Sequence, residues 1–348
     1  MKKPLILFSS FLILAIVFYF TEERQSDLQE IEFWKLNPSK LIYSPPNENS
    51  IHHSKFSKDE LIIEKKEIGL KNAPLFFIKG KSKSNNNFEY TYEANYNIKN
   101  LFSELSILRT KSINESKEEY LKKFSITPDS PKLEIYESNK LSKTILIGEE
   151  DKNSNRYIQS DKYLILIQNF PIQKLTNSIF ENRERTYART GEYELNRVQI
   201  QTEGLQTSIE NQIGSKNGSP YSKWFRVSSG KTRIDPILGG NFFSALQNLK
   251  VDLYPDEENG EGFEIAKELV NTKPNTIIDV YQTNGVHMII KVFPKVVIKE
   301  KTYFPILKEI ENHALESVSY TKQESYTQLI DTINKIQTAG EWNEPKPN

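Results

Sequence analysis

The chain contains no cysteine. That absence removes thiol catalysis, cysteine-ligated zinc and iron–sulfur clusters, and it rules out a lipoprotein signal. It fits an exported bacterial domain that does without disulfides. The chain also lacks net charge, with 46 basic residues against 46 acidic ones and the two signs interspersed. It therefore has neither the basic stripe that drives nucleic-acid binding nor a polybasic patch for anionic lipid. Apolar residues are scarce, at 37% of the chain, and mean hydropathy is −0.59. Lys, Asn, Ser and Glu fill the difference. The chain is not poor in aromatics: 17 Tyr, 19 Phe and 3 Trp separate it from disordered sequences. Its 348 residues suffice for two ordinary domains or one large one, each with a core.

One long hydrophobic run is present. Lys2 and Lys3 precede an apolar stretch from Pro4 to Phe20, and Thr21-Glu22-Glu23-Arg24 follows it. As a helix the stretch is about 25 Å long, against a hydrocarbon core of roughly 30 Å. Basic residues before it and acidic ones after it keep residues 1–3 in the cytoplasm and export the rest. A cleavable leader needs small residues at its end, and this run ends Val17-Phe18-Tyr19-Phe20. The expectation is an uncleaved single-pass anchor over 4–20.

Residues 21–60 read as a tether, polar and interrupted by Pro45-Pro46. Leu28, Ile31 and Trp34 recur at near-helical spacing and suggest a short helix over Gln25–Lys35. Strands are expected from Leu61, from Pro74 and at Phe88-Glu-Tyr-Thr-Tyr92, where aromatic and polar residues alternate with period two. Ile98, Leu101, Phe102, Leu105 and Leu108 form one face of a helix. A short helix near Lys117–Lys123, four strands between Lys132 and Ile167 and a short helix over Gln173–Phe180 follow. Beyond a boundary near 185–195 the order recurs: strands at Asn196–Thr202 and Leu205–Glu210, a loop over Ile213–Tyr221, and a strand at Trp224–Val227. Next come a helix carrying Leu238, Phe242, Leu246 and Leu249, a short helix at Phe263–Val270, and further strands to Ile306. A helix at Tyr326–Ile336 and a Pro-rich tail close the chain.

The fold class that follows is α+β, with two tandem copies of an antiparallel-sheet-plus-helix unit behind one N-terminal transmembrane helix. The first unit is assigned to 61–190, the second to 191–316, and the C-terminal helix and polar tail to 317–348. Recurrence of aromatic strand, helix and meander in the same order is the argument for duplication.

Three features resemble the domain of unknown function family 4340, a set of membrane-anchored bacterial proteins. One is the anchor followed by the repeated unit. Another is Trp224-Phe-Arg-Val leading through Ile234-Asp-Pro to Phe242-Phe-Ser-Ala-Leu246. The third is Phe124-Ser-Ile-Thr-Pro128 with Leu133-Glu-Ile-Tyr, Ile145-Leu-Ile-Gly148 and Arg156-Tyr-Ile. The likeness covers most of 60–310. Phe88 stands where that pattern usually has Trp. The resemblance supplies no catalytic residues. It implies an auxiliary extracytoplasmic subunit beside an ABC-type exporter of the gliding-motility kind.

Motifs that carry chemistry fail on spacing. Ser228-Ser-Gly-Lys-Thr232 ends like a phosphate-binding loop, but the position needing the first Gly holds Phe225. His52 and His53 are adjacent and diverge on an extended chain, while His287 and His313 are isolated. Asp256-Glu-Glu-Asn-Gly-Glu-Gly262 places Glu261 where a calcium loop needs Gly, so it reads as a solvated acidic loop. Ser142-Lys143 and Ser222-Lys223 lack the Ser-x-x-Lys spacing. Phe88–Tyr92 with Tyr96 reads as cross-strand packing ahead of an aromatic binding platform.

No residue is assigned a catalytic, cofactor-binding or metal-binding role. The expectation is a non-enzymatic accessory or scaffold protein on the periplasmic side of a bacterial inner membrane, partnered by an ABC transporter permease and not by nucleic acid. The alternative is an anchored binding module taking a small solute or cell-wall polymer in a cleft between the two units.

Overall fold

The computed structural model describes residues 30–343, except 49, 54–55, 57, 70–72, 83–87, 111, 151–154, 169–174, 176–181, 217, 229, 258–260, 270–271 and 311–313. The anchor over 4–20, nearly all of the helix expected at Gln173–Phe180, and His313 lie outside the described residues. Among the described residues, no helix is long and apolar enough to cross a membrane.

The fold is α+β and sheet-rich, and among the described residues the strands pair antiparallel. The first half runs β1 (Ile31–Lys35), β2 (Lys40–Ser44), β3 (Glu60–Ile68), β4 (Ala73–Ser82), β5 (Phe88–Glu93), α1 (Tyr96–Ser106), β6 (Ile107–Thr110), β7 (Ser112–Glu115), α2 (Glu118–Lys123), β8 (Lys132–Glu137), β9 (Lys140–Glu150), β10 (Asn155–Ser160) and β11 (Tyr163–Gln168). Nine of these strands form one sheet in the order β5-β4-β3-β2-β8-β9-β10-β11-β7, and β1 pairs with β6 as a separate ribbon.

The second half runs β12 (Leu195–Thr202), β13 (Leu205–Lys216), β14 (Ser219–Val227), β15 (Lys231–Arg233), α3 (Pro236–Asn248), α4 (Glu261–Glu268), β16 (Thr276–Gln282), β17 (His287–Val292), β18 (Val296–Ile298), β19 (Lys301–Ile310), β20 (Ala314–Leu315), β21 (Ser319–Lys322) and α5 (Gln323–Thr338). Its sheet has the order β15-β14-β13-β12-β16-β17-β19-β18, with β20 and β21 also on β19.

Alternation explains the strands. In β12 and β16, every second residue (Val198, Ile200, Ile278, Val280) is buried, and the residues between face outward. The helices start where a side chain replaces missing backbone partners. Asn95 Oδ1 accepts from Asn97 N at 2.9 Å to open α1. Asp235 Oδ1 accepts from Ile237 N at 2.7 Å to open α3, with Pro236 in its first turn. α3 lies directly on Trp224: a Cβ at Gly239 would sit 2.2 Å from the indole, so only glycine allows this approach. At the end of α5, Arg226 Nη1 donates to the carbonyls of Ile336 (2.9 Å), Ala339 (3.1 Å) and Gln337, tying the helix to β14. One buried hydrophobic cluster runs through both sheets.

Two strands, β1 and β2, lie within the segment expected to be a tether. β2 sits between β3 and β8 inside the first sheet, with Leu41 and Tyr43 fully buried. The prolines around it (Pro38, Pro45, Pro46) bound a strand. Residues 31–35 are a strand where a helix was expected, because Trp34 turns inward and donates its indole N–H to Leu105 O at 3.0 Å. Leu108 belongs to β6, since the helix ends at Ser106. The loop expected at Ile213–Tyr221 is mostly two paired strands. Residues 319–322, placed with the C-terminal helix and tail, pair with β19.

Candidate functional site

The two sheets meet along β5, the last strand of the first sheet in the strand order. Residues 316–318 complete that edge: Ser317 N donates to Thr91 O at 2.8 Å, Thr91 N to Ser317 Oγ at 2.9 Å, and Glu93 N to Glu316 Oε1 at 2.8 Å. Tyr92 OH reaches Val318 O at 2.9 Å. The 182–184 segment follows the end of the same strand, with Asn95 N donating to Asn182 O and Glu184 N to Glu93 O. At the other end of the seam, Gly69 (φ +75°) packs so closely on Asn284 that a Cβ would lie 2.7 Å from its carbonyl.

Two sets of buried charges fill this seam. The Arg183 guanidinium is fully buried and forms a bidentate pair with Asp256, Nη1–Oδ1 2.9 Å and Nη2–Oδ2 2.7 Å. Its central carbon lies 4.3, 4.8 and 4.6 Å from the ring centroids of Tyr90, Tyr92 and Tyr254. Burial opposes the guanidinium charge, but Asp256 outweighs it and holds the Arg183 pKa above its ordinary value. Burial raises the pKa of all three tyrosines, which stay neutral hydroxyls.

In the second set Lys308, on β19, bonds Glu93 Oε2 at 2.5 Å and lies 3.7 Å from Glu316. Arg189 adds a contact to Glu93 at 3.2 Å and approaches Glu184 at 3.8 Å. Burial pushes the Glu316 carboxyl up to about 7, against the pull of Lys308. Burial disfavours the Lys308 charge too, but Glu316 and Glu93 reverse the balance and raise its pKa. Chemically, the first set is a rigid strut with its aromatic faces occupied by Arg183. The second can hold or release a proton near neutrality.

The acidic-loop reading is corrected at Asp256, whose side chain is only 3% exposed. Its partner lies 73 residues away in sequence, which is why a local reading saw only a run of charge. Glu257 likewise pairs with Arg185 at 3.0 Å. Tyr90 and Tyr92 are packed inside, whereas Tyr96 is exposed. Lys231 and Thr232, read as the end of a phosphate loop, lie on β15 opposite Val227 and Arg226, and Lys231 pairs with Glu210. His52 is buried with Nε2 2.8 Å from Ser125 O, and His287 contacts Asp279 at 2.9 Å while stacking on Tyr281. Among the described residues, no three metal-ligating side chains converge. Ser142 Oγ donates to Glu137 at 2.6 Å.

Two grooves lie on the second sheet and its helices. One, of 560 Å³, runs between α3 and α5 past Asn241, Ser244, Gln328 and Asp331. The other, of 410 Å³, crosses the outer sheet face past Gln199, Gln206, Ser208 and Asp279. Aromatic side chains line neither.

The β13–β14 hairpin makes a different surface. β12 pairs with β13 only over Leu205–Glu210; beyond the buried Asn211–Trp224 pair, Gln212–Lys216 and Ser219–Lys223 continue as a two-stranded arm. The arm is braced at its root, where Asn211 Nδ2 donates to Glu192 O at 2.7 Å, and near its tip, where Tyr193 OH donates to Pro220 O at 3.3 Å. Among the described residues, β15 covers β14 only over Phe225–Val227, leaving the outer edge of Ser219–Lys223 without a strand. Ile213 and Tyr193 are exposed beside it. Sequence patterning missed the arm because its Gly, Asn, Ser and Pro content reads as loop.

The family model described as "Domain of unknown function (DUF4340)" matches residues 85–264. That span includes Glu93, Arg183, Asp256, the three caging tyrosines and the whole arm. No curated protein and no solved structure matches the chain.

Proposed function

This chain belongs to the DUF4340 family, and on that premise we propose that it is a membrane-anchored extracytoplasmic accessory protein without enzymatic activity, an auxiliary subunit of an ABC-type transporter. In this reading 4–20 is a single-pass anchor in a bacterial inner membrane, and the body lies on the periplasmic side. The body comprises two copies of one α+β unit. Support for the duplication comes from the side-chain caps Asn95 and Asp235, each opening a helix that follows aromatic-bearing strand structure.

The observation that carries the protein-partner reading is the projecting arm. A two-stranded hairpin is marginal in water by itself, and this one is held by Asn211 and Tyr193 with Ile213 and Tyr193 exposed. An uncovered strand edge with apolar side chains beside it is a protein-docking surface. Pro220 removes one N–H from that edge, so side chains contribute alongside backbone.

The test is affinity purification of the full-length protein from gently solubilised membranes, with mass spectrometry of what accompanies it. The reading expects a permease and its ATPase in stoichiometric amounts, and recovery of the protein alone counts against it. The anchor has its own check: a mature N-terminus before residue 20 and resistance to carbonate extraction.

A further inference from the structure

We propose that residues 316–318 are a proton-operated latch, bound to β5 while the Glu316 carboxyl carries a proton and released from β5 when that proton is lost.

The latch is a short segment held from two sides. Glu316 N donates to Lys308 O on β19 at 2.8 Å, and Ser317 N to Thr91 O on β5 at 2.8 Å. Two further bonds to β5 run through side chains of the segment itself: Ser317 Oγ accepts from Thr91 N at 2.9 Å, and Glu316 Oε1 from Glu93 N at 2.8 Å. Tyr92 OH adds a bond to Val318 O at 2.9 Å. On its other side β5 is paired with β4 from Phe88 to Glu93. The strand therefore keeps its place in the first sheet when 316–318 leave it.

The driving force is a charge imbalance. Glu316 faces Lys308 on β19, Glu93 on β5 and Glu184. Arg189 contacts Glu93 at 3.2 Å and Glu184 at 3.8 Å. The hydroxyls of Tyr92, Tyr187 and Tyr254 also face this carboxyl and stay neutral. Three carboxyls thus share two cations, and the set balances only with one proton bound. Glu93 takes both cations directly, at 2.5 Å and 3.2 Å, whereas Glu316 meets Lys308 at 3.7 Å with its side chain 8% exposed. Ionised, Glu316 is a buried charge without a cation of its own. Its departure into water leaves Glu93 and Glu184 against Lys308 and Arg189, two against two.

The size of the effect follows from linkage. The carboxyl holds its proton up to about 7 in the closed seam, against an ordinary value of 4.5 in the released segment. Release is then favoured by about 10- to 100-fold more at pH 8 than at pH 5.

Hydrogen exchange of the full-length protein, resolved to single amides and corrected for intrinsic rates, tests this between pH 5 and pH 8. The Thr91 and Glu93 amides point at the latch, so Tyr92, between them, points at β4. The expected result is a loss of protection of about 10- to 100-fold at Thr91 and Glu93 across this range. Tyr92 and the second-sheet amides of Val198 and Ile200 remain better protected at every pH, as local opening requires. Glu316→Gln removes the pH dependence at Thr91 and Glu93. Thr91 and Glu93 amides as well protected as Tyr92 overturn the latch, because the segment then leaves only with the whole strand. A flat wild-type profile overturns it too, as does an unchanged fall in Glu316→Gln.

Discussion

Lys308 on β19 closes on Glu93 at the end of β5, Nζ to Oε2 2.5 Å, with both side chains 2% exposed. This bond joins the two sheets between groups 215 residues apart in sequence. A buried pair gives little net stability over a well-packed apolar one, but removing one partner leaves a stranded charge.

Lys308→Met is therefore expected to destabilise the protein by about 3–5 kcal/mol. Lys308→Met combined with Glu93→Leu should recover part of that loss, although Arg189 then loses a partner. Urea unfolding of the single and double variants measures both. A double variant as unstable as the sum of the two singles would contradict the pairing.

The second expectation concerns pH. Glu316 keeps its proton up to about 7 in the folded protein, against an ordinary value of 4.5. The folded state binds the proton more tightly, so this group's stabilising contribution is complete below about 4.5 and is lost as pH rises to about 7. Melting temperature should fall across that window, and Glu316→Gln should flatten the fall. An identical pH slope in Glu316→Gln would remove Glu316 as its source.

Neighbouring glycines on α3 should respond in opposite directions. A Cβ at Gly239 meets the Trp224 indole at 2.2 Å, and one at Gly240 meets nothing within 4 Å. Gly239→Ala is expected to cost about 1–3 kcal/mol by overpacking. Gly240→Ala should stabilise by up to about 1 kcal/mol through helix propensity. Thermal unfolding of the two variants side by side reads the difference.

The arm carries the partner prediction. Ile213→Asp should sharply lower co-purification of membrane partners while leaving the melting temperature within about 1 °C, because an exposed side chain contributes little to the fold. Full partner recovery with Ile213→Asp would move the docking surface elsewhere.

Most strands and the larger helices were legible because their burial follows a period. The alternation in β12, β16 and β17 and the Ile98–Leu101–Phe102–Leu105 stripe each appear within a short window. β2 was not legible: only Leu41 and Tyr43 mark its inner face, and flanking prolines gave it the look of a linker. The seam could not be read locally at all, since Asp256 looks like one acid among several until Arg183 is placed beside it. The arm failed for the opposite reason, because turn-forming residues were built into paired strands.

The completion of β5 by residues 316–318 bears on how the chain is made. The Thr91–Ser317 partners are 226 positions apart, so the N-terminal sheet cannot be finished when its own residues emerge. Its edge stays unpaired until almost the whole polypeptide has been synthesised and, if exported, translocated. During that interval β5 can pair with foreign strands. A chain truncated before Ser317 would carry that open edge permanently, and its fate would be aggregation or proteolysis instead of a shorter working protein.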